Sequence, residues 1–376
     1  MSEVWITSTA AVTGLGADLE TLWRRLLAGE TAIRPLERFA TDRYNARSAA
    51  WIAGLGPAGG RSLLYPLLEQ LLDGFGPVPH DCRLITATTK GCIDTLERLQ
   101  RGLPADPAAL PVSAVLAWLA GELGLSDPGV NINAACASST IAVARAAAMI
   151  AAGQAEAILV VCMDLISEFV FSGFSALQAL SPEACRPFDR DRNGLSLGEG
   201  GAALLLMSAA RARREGRSSL GAVVGWGSAN DATHITAPAR DGSGLIQATR
   251  QALAKAGIAP DDIAAISAHG TGTVFNDLME LTAFQDVFSA RAIPLQSVKG
   301  AIGHTLGAAG GIEVALGLKA LDCRLIPPTV GFREPEQGAA GMVSALPLPI
   351  TGPYLLTTNS GFGGVNAALV LKGGAA

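Results

Sequence analysis

Charged residues are scarce in this sequence of 376 residues, and neither sign dominates. Only 16% of the residues are charged, and the formal net charge is −5. Such a balance gives no basic field of the kind that attracts nucleic acid or an anionic membrane. We therefore expect neither of these partners, and binding sites have to be read from local groups of residues.

Cysteine pairs are missing as well. The six cysteines are scattered without a CxxC spacing, which argues against a zinc site and against a small disulfide framework. The opening segment, MSEVWITSTAAVTGLG, lacks the basic stretch that begins an export signal. These features favour a reducing cytoplasm. The cysteines are Cys82, Cys92, Cys136, Cys162, Cys185 and Cys323.

No apolar run is both long enough and pure enough to cross a bilayer. The longest, from Ile141 to Met163, contains Arg145, Gln154 and Glu156, each of which is costly in hydrocarbon. We interpret this run as a buried helix, a turn and a strand, and expect no membrane association.

Hydrophobic residues make up 49% of the chain, enough for one large domain or two moderate ones. Apolar runs such as AILVVCMD, GAALLLMS and IAAISAHG alternate with helical stretches such as Thr21–Glu30 and Gly244–Ile258. This alternation predicts an α/β fold with mostly parallel, buried strands. Loops are expected mainly between Leu55 and Pro111, and two halves are expected to meet near Ser208–Ser219.

One cysteine lies in an unusual setting. The stretch NAACASST, from Asn133 to Thr140, places Cys136 just before a strongly helix-forming run. A free cysteine is usually a small, inert hydrophobe, but a thiol at the start of a helix lies against backbone N–H groups that favour its anion. Both interpretations are open on this motif alone.

Two of the four histidines follow strand-like runs and adjoin glycines. They are His269 in SAHGTGTVFNDLMELTAF and His304 in SVKGAIGHTLGAAGG. Either one alone fits a hydrogen-bonded structural histidine. Together with Cys136 they predict a catalytic group, because nearby imidazoles and a helix start would lower the thiol pKa and populate the nucleophilic anion.

Five motifs in this order resemble the β-ketoacyl-acyl carrier protein synthases of the thiolase-like superfamily. They are the cysteine before an Ala/Ser-rich helix, RPFDRDRNGLSLGEGG, HGTGT, Lys-x-x-x-x-His and GFGGVN. The resemblance runs from VTGLGADLETLWRRLLAGETAI to GFGGVNAALVL and is weakest between Ala50 and Val115. It implies a layered α-β-α-β-α architecture with mixed central sheets. Residues 1–208 would form one half, with the cysteine, and residues 219–376 a similar half, with the histidines, in one compact unit.

The resemblance also implies the reaction. An acyl chain held on the cysteine would undergo a decarboxylative Claisen condensation with malonyl-acyl carrier protein, in fatty acid or polyketide biosynthesis. No metal and no cofactor are implied, since the phosphopantetheine arrives on the carrier protein. The implied partners are this carrier protein, the malonyl and acyl thioesters, and a second ketosynthase-like chain in a homodimer or heterodimer.

Site roles follow from the same resemblance, residue by residue. Cys136 would be the nucleophile, with its own N–H and that of Phe362 forming an oxyanion hole. His269 and His304 would bind the malonyl thioester oxygen and stabilise the enolate. Lys299 and Glu280 would orient the histidines, although a plain structural ion pair is an alternative for these two.

Further residues would handle the substrate. Thr271 and Thr273 would hydrogen-bond the pantetheine arm. Phe362 would also be the gate to the acyl pocket, with loop freedom provided by Gly361 and Gly363. Thr236, in the loop NDATHITAPARDGSG, would touch this gate.

Several other residues carry weaker expectations. Asn193 and Glu199 fit either a structural cation or simple turn and cap hydrogen bonds. Arg190 and Arg192 would contact an acidic carrier protein. His80 and His234 are expected at the surface, and the five other cysteines are expected to be inert packing thiols.

Some positions depart from the family pattern. Val274 and Phe275 follow HGTGT where a proline is usual, and Ser360 replaces an aromatic residue ahead of the gate. The region from Ala50 to Val115 is compressed, so the acyl pocket wall and the partner contact are open questions. We expect a long edge strand near the nucleophile to pair across an obligate dimer, with the partner chain completing the pocket.

Three alternatives remain at this point. The chain could be a non-catalytic, chain-length subunit, but the presence of the cysteine, both histidines and the lysine argues against that role. It could still be the active subunit of such a heterodimer. A Cys-His hydrolase would need one base and a path for water, and an acyltransferase would use the same acyl-cysteine with a non-malonyl acceptor.

Overall fold

The computed structural model describes residues 2–56, 60–289 and 291–374. The strands in these segments are β1 (Val4–Thr13), β2 (Ile33–Pro35), β3 (Ser48–Ala50), β4 (Arg83–Ala87), β5 (Val130–Ile132), β6 (Ala157–Asp164), β7 (Gly200–Ser208), β8 (Gly221–Asn230), β9 (Ile263–Ser267), β10 (Leu295–Gln296), β11 (Leu325–Ile326), β12 (Leu348–Pro349), β13 (Tyr354–Gly361) and β14 (Val365–Gly373).

The helices alternate with these strands. They are α1 (Leu19–Leu27), α2 (Leu64–Leu72), α3 (Ile93–Gln100), α4 (Val112–Glu122), α5 (Ser138–Ala151), α6 (Glu168–Ala176), α7 (Ala209–Arg214), α8 (Ser243–Ala256), α9 (Val274–Phe288), α10 (Lys299–Ile302) and α11 (Ala309–Cys323). Short 3-10 helices cover Pro107–Ala109, Pro260–Asp262 and Leu306–Ala308.

Ten strands form one sheet with a repeated internal order, β10-β9-β13-β14-β8-β1-β7-β6-β4-β5. Read outward from the middle, β1, β7, β6, β4 and β5 pair antiparallel, antiparallel, parallel and parallel. The strands β8, β14, β13, β9 and β10 pair with the same sequence of directions. The sheet therefore consists of two similar five-stranded halves, which meet where β1 pairs with β8 over two residue pairs.

The strands are buried on both faces because their side chains alternate between two apolar layers. Along β6, Ile158 and Val160 face a middle layer, whereas Leu159 and Val161 face an outer one. Helices α5 and α11 pack against each other in the middle layer. Helices α2 and α4 cover the outer face of one sheet half, and α8 and α9 cover that of the other. The stack is α-β-α-β-α, so the predicted layered architecture with two similar halves and mixed sheets is confirmed. The expectation of mostly parallel strands is wrong, since five of the nine pairings in this sheet are antiparallel.

The limits predicted for the halves stay a prediction, although residues 209–220 do lie between β7 and β8. The expectation that loops dominate between Leu55 and Pro111 is wrong for much of this region. It contains α2, β4 and α3, and β4 pairs with both β5 and β6 inside the sheet. Among the described residues of this region, most glycines and prolines lie in the connections between these elements, although Pro66 lies in the first turn of α2.

The sheet edge near the predicted nucleophile is short. Strand β5 has three residues and pairs on one side with β4, and the side chain of Val130 is 57% exposed. The expectation of a long edge strand is therefore wrong, because the strand gives way within four residues to the turn that carries Cys136. Across the described residues, no helix is both long and apolar enough to cross a membrane.

Candidate active site

The turn between β5 and α5 presents Cys136 at the carboxyl end of parallel strands. Ala135, just before it, has a φ of +50°, which is unfavourable for a residue with a side chain. The Ser138 hydroxyl holds this turn, since it donates to the Ala135 carbonyl at 2.5 Å and accepts from the Ala134 N–H at 2.9 Å. The turn places Cys136 in the lining of a cavity.

Both predicted histidines reach this thiol. His304 Nε2 lies 3.0 Å from Cys136 Sγ, and the ring centroids of His304 and His269 are 5.2 Å apart with an interplanar angle of 86°. One nitrogen from each imidazole and the sulfur all lie within 4.8 Å of one another. The three side chains belong to buried residues, although they come from distant parts of the chain.

The protonation state of the thiol differs from the sequence expectation. Burial raises the pKa of Cys136 to about 11, although the positive charge of Lys299 and the Phe362 N–H act in the opposite direction. The expected lowering of this pKa is therefore wrong, because desolvation of the anion outweighs the nearby donors and charge. At neutral pH the group is a thiol within hydrogen-bond reach of an imidazole.

Both imidazoles are neutral. Burial, followed by the positive charge of Lys299, holds the pKa of His304 well below its ordinary value. The same two causes, with a smaller contribution from His304, lower the pKa of His269. Each ring therefore has one N–H donor and one nitrogen acceptor at physiological pH.

The proton of His269 is fixed at Nε2 by residues that no sequence motif identifies. Asn359 Nδ2 lies 3.1 Å from His269 Nδ1 and 2.8 Å from a Glu313 carboxylate oxygen, while its Oδ1 accepts from the Thr140 hydroxyl. These partners set the amide orientation, so Nδ1 accepts and Nε2 carries the proton. For His304, by contrast, no partner of Nδ1 is present among the described residues, so its tautomer is not locked.

Lys299 has a different partner from the one expected. Its Nζ donates to Glu313 at 2.6 Å and to the His269 carbonyl at 2.5 Å, and both residues of the ion pair are 1% exposed. The expected pairing of Lys299 with Glu280 is therefore wrong. The only sequence signal for Glu313 is a single carboxylate within the apolar run GGIEVALG of α11.

Glu280 instead holds the backbone of the HGTGT motif. Its carboxylate accepts the N–H groups of His269 at 2.7 Å and Gly270 at 2.6 Å, and the Asn276 amide at 2.9 Å. Burial, with the charge of Asp277 next, raises the pKa of Glu280 to about 8, against these donors. Glu280 positions His269 through the main chain and does not touch its ring.

A second buried carboxylate in α9, Asp277, holds the remainder of the motif. Asp277 accepts the N–H groups of Thr271 and Gly272, and the hydroxyls of Thr271 and Thr273 are 2.9 Å apart. Arg192 packs behind it, 4% exposed, at 3.5 Å from Asp277. The expectation that Arg192 contacts a carrier protein is therefore wrong, whereas Arg190 is exposed and its docking role stays a prediction.

The cavity in front of the thiol has a volume of about 400 Å³. It brings together most of the residues predicted for substrate handling. Those in its lining are Cys136, Thr236, His269, Thr271, Thr273, His304, Gly361 and Phe362. Lys299, Glu280 and Gly363 lie behind or beside this lining.

The Phe362 ring stacks on another aromatic ring. The centroids of Phe362 and Phe174 are 5.6 Å apart with an interplanar angle of 27°. Gly361 is close to the nucleophile turn, since a Cβ there would lie 3.0 Å from the Ala134 carbonyl oxygen. Gly363 has a φ of +85°, and its N–H donates to the Ile235 carbonyl at 2.7 Å, which joins this loop to the one containing Thr236.

The two residues considered as ligands of a structural cation, Glu199 and Asn193, are poorly suited to bind one. Glu199 is bound by both guanidinium nitrogens of Arg38, at 2.5 and 2.6 Å, whereas Asn193 accepts from Ser181 at 2.5 Å. A guanidinium already neutralises this carboxylate, so the hydrogen-bonding alternative describes these residues. Cys136 and the two histidines have ligand types that zinc accepts, but the positive charge of Lys299 opposes a second cation there. The expectation of no metal stays a prediction.

The other histidines and cysteines differ in exposure. His80 and His234 are exposed, and His234 Nδ1 accepts the N–H groups of Thr236 and Ala237, which shapes the entrance loop. Cys82, Cys92, Cys162 and Cys185 are buried, as packing thiols would be, whereas Cys323 is exposed.

Two family models match the chain. The model of the β-ketoacyl synthase N-terminal domain matches residues 102–212, and that of the C-terminal domain matches residues 220–333. The 3-oxoacyl-[acyl-carrier-protein] synthase 2 of Rhizobium meliloti (strain 1021) is 31% identical over 418 residues, covering 99% of both chains. This chain belongs to the β-ketoacyl synthase family.

Solved ketosynthase structures share its fold. The ishigamide ketosynthase/chain length factor is 28% identical, with a TM-score of 0.90 and complete coverage of both chains. A ketosynthase from Xenorhabdus doucetiae, solved with its chain length factor, is 26% identical, with a TM-score of 0.84 and coverage of 100% of this chain and 98% of the other. The predicted family and thiolase-like fold are confirmed.

Proposed function

We propose that this chain joins an acyl group held on Cys136 to a malonyl unit on an acyl carrier protein, with loss of carbon dioxide. The product of this decarboxylative Claisen condensation is a β-ketoacyl-acyl carrier protein, as formed in fatty acid or polyketide biosynthesis. The observation that carries the proposal is the buried group of one thiol and two neutral imidazoles facing one cavity. The family supports the same reaction.

Acyl transfer would use Cys136 and His304. As the sulfur attacks the incoming thioester carbonyl, His304 Nε2 takes the thiol proton and then gives it to the departing pantetheine sulfur. The N–H groups of Phe362 and Cys136 would donate to the oxygen that becomes negatively charged. Because burial keeps the thiol neutral, attack depends on this proton transfer.

Condensation would use both imidazoles as donors. His269 and His304 would each donate an Nε2–H to the malonyl thioester oxygen while the bond to the carboxylate breaks. The electron pair of the breaking carbon-carbon bond forms the enolate. The enolate carbon then attacks the acyl carbonyl, and the bond between that carbonyl and the Cys136 sulfur breaks. The sulfur takes up one proton from solvent, the one that the condensation consumes. The unlocked tautomer of His304 suits both steps, since Nε2 accepts in the first and donates in the second.

The substrates and partners follow from this reaction. Both thioesters would arrive on a carrier protein, whose phosphopantetheine would pass Thr271 and Thr273, so no resident cofactor is needed. A second ketosynthase-like chain would cover the β5 edge. The related ketosynthase of Xenorhabdus doucetiae is in complex with a chain length factor. This complex supports a second form of the same function, in which the present chain is the active subunit of a heterodimer.

The test is to incubate the purified chain with acyl- and malonyl-acyl carrier protein. We expect an acyl adduct on Cys136 by mass spectrometry, a β-ketoacyl product and one equivalent of carbon dioxide. Release of free acid without a new carbon-carbon bond would instead identify a hydrolase. Transfer of the acyl group to a non-malonyl acceptor would identify an acyltransferase, and either result would overturn the proposal.

A further inference from the structure

Large apolar side chains are exposed around the mouth of the cavity. Leu177, Val274 and Phe275 line it and are 51%, 45% and 59% exposed. Leu278, one turn further along α9, is 37% exposed, and Ile235 in the entrance loop is 77% exposed. These five residues, which we call the apolar rim, surround the route by which a substrate reaches the thiol.

The rim is not required by the packing of α9. The inner face of this helix buries Met279, Ala283 and Phe284, whereas Phe275 and Leu278 lie on its outer face. Contiguous exposed apolar side chains of this kind commonly mark an interaction site.

A cation lies beside the rim. The Arg240 guanidinium is 5.8 Å from the centroid of the Phe275 ring, within the range of a cation-π contact. Arg240 is exposed, and no carboxylate in the described segments forms an ion pair with it. An apolar ring next to an uncompensated guanidinium complements a surface that presents an apolar side chain flanked by carboxylates.

We infer that the apolar rim and Arg240 form the docking site of the acyl carrier protein, and that an apolar side chain of this partner packs on Phe275. The inference rests on the proposed function, in which the thioester arm is attached to a protein. Because the thioester arm enters through this mouth, the carrier protein to which it is attached has to contact the apolar rim. Apolar contact and one cation would therefore decide which carrier is accepted.

Two variants test the rim outside the cavity lining. Leu278→Asp and Arg240→Glu each place a negative charge opposite an acidic partner, and both positions are exposed. The measured quantity is the ratio of kcat/KM for an acyl group delivered on the carrier protein to kcat/KM for the same group on free pantetheine. We expect each variant to lower this ratio about tenfold or more, as loss of a central interface contact does.

Leu346→Asp is the matched control, because Leu346 is 71% exposed and does not line the cavity. We expect its ratio to equal that of the unaltered chain. An unchanged ratio in both rim variants, with condensation intact, would overturn the docking inference alone. An equal fall in kcat/KM for the carrier-bound and the pantetheine-bound acyl group would also overturn it. The same holds if the only effect of the rim variants is dissociation of a homodimer, as measured by light scattering. Absence of condensation with either substrate in the unaltered chain would overturn the proposed function as well.

Discussion

At the scale of single residues, burial sets the chemistry of the nucleophile. A thiol whose pKa is raised to about 11 is almost entirely protonated at neutral pH. It becomes reactive when a base at 3.0 Å takes its proton as a thioester carbonyl arrives. The thiol is thus protected from other electrophiles until substrate is in place.

Replacement of the nucleophile separates the two steps. In Cys136→Gln we expect condensation to be lost, because no acyl-enzyme forms. Malonyl decarboxylation should persist or increase, since His269 and His304 still face the cavity. Carbon dioxide release from malonyl-acyl carrier protein is the measurement, with circular dichroism to check the fold. Loss of both activities in a folded variant would contradict separate roles for the thiol and the imidazoles.

Alkylation should show the raised pKa directly. The sequence alone favours Cys136 as the first thiol to be alkylated at neutral pH. Because its pKa is raised and the residue is only 7% exposed, we instead expect iodoacetamide at pH 7 to modify the exposed Cys323 before Cys136. Because the anion reacts, the rate at Cys136 should rise about tenfold per pH unit and level off only near its pKa. Peptide mass spectrometry measures both rates, and Cys323→Ser removes the competing thiol. A plateau below pH 8 at Cys136 would contradict the raised pKa.

The identities of the site residues could be predicted, but their pairing could not. Cys136, His269 and His304 are recognisable because the reaction requires their types in this order. Glu280 and Glu313 are each a buried carboxylate in an apolar helix, and the sequence offers nothing to show which one contacts Lys299. The raised pKa of the thiol cannot be read from the sequence for a similar reason, since the depth of burial depends on packing between distant segments.

At the scale of elements, α11 positions the catalytic groups from the middle layer. It carries Glu313, which holds both Lys299 and the Asn359 amide that fixes the His269 tautomer. One helix therefore connects the buried cation to the ring that would bind the enolate oxygen. Because α11 is buried on nearly every side, it has little freedom to move.

Removal of this carboxylate should be costly. Glu313→Gln leaves the Lys299 charge buried without its partner, and breaking a buried pair in this way typically costs about 3–5 kcal/mol. The midpoint of urea unfolding measures the loss. Glu20→Gln, which breaks the 2.8 Å ion pair between Lys319 and the exposed Glu20, is the control and should cost less than about 1 kcal/mol. Equal shifts for both variants would contradict a structural role for Glu313.

Strands and helices with a long, regular hydrophobic pattern can be predicted from the sequence, whereas short ones cannot. The run AILVVCMD coincides with β6, and Gly244–Ile258 contains most of α8. Strand β4 was missed because it has five residues, RLITA, between segments rich in glycine and proline. Its place in the sheet comes from pairing with β5 and β6, a non-local interaction that local composition does not report.

At the scale of the whole molecule, the β5 edge is the expected dimer contact. We expect Val130→Asp to prevent strand pairing across a two-fold or pseudo-two-fold axis, because it puts a charge on a 57% exposed edge position. Light scattering should then report half the mass of the unaltered assembly. Leu346→Asp is the control and should remain dimeric. A fully active monomer of the unaltered chain at assay concentration would contradict the assembly itself.

The joining of two similar sheet halves also has a consequence for folding kinetics. Cys136 and His304 are 168 residues apart, and they meet only after the strands of both halves have found their partners. Contacts of such long sequence separation form slowly, since a large loop has to close before they are gained. On dilution from urea, helical circular dichroism should therefore recover well before catalysis does. The newly made chain would pass through a stage in which its thiol has no imidazole beside it.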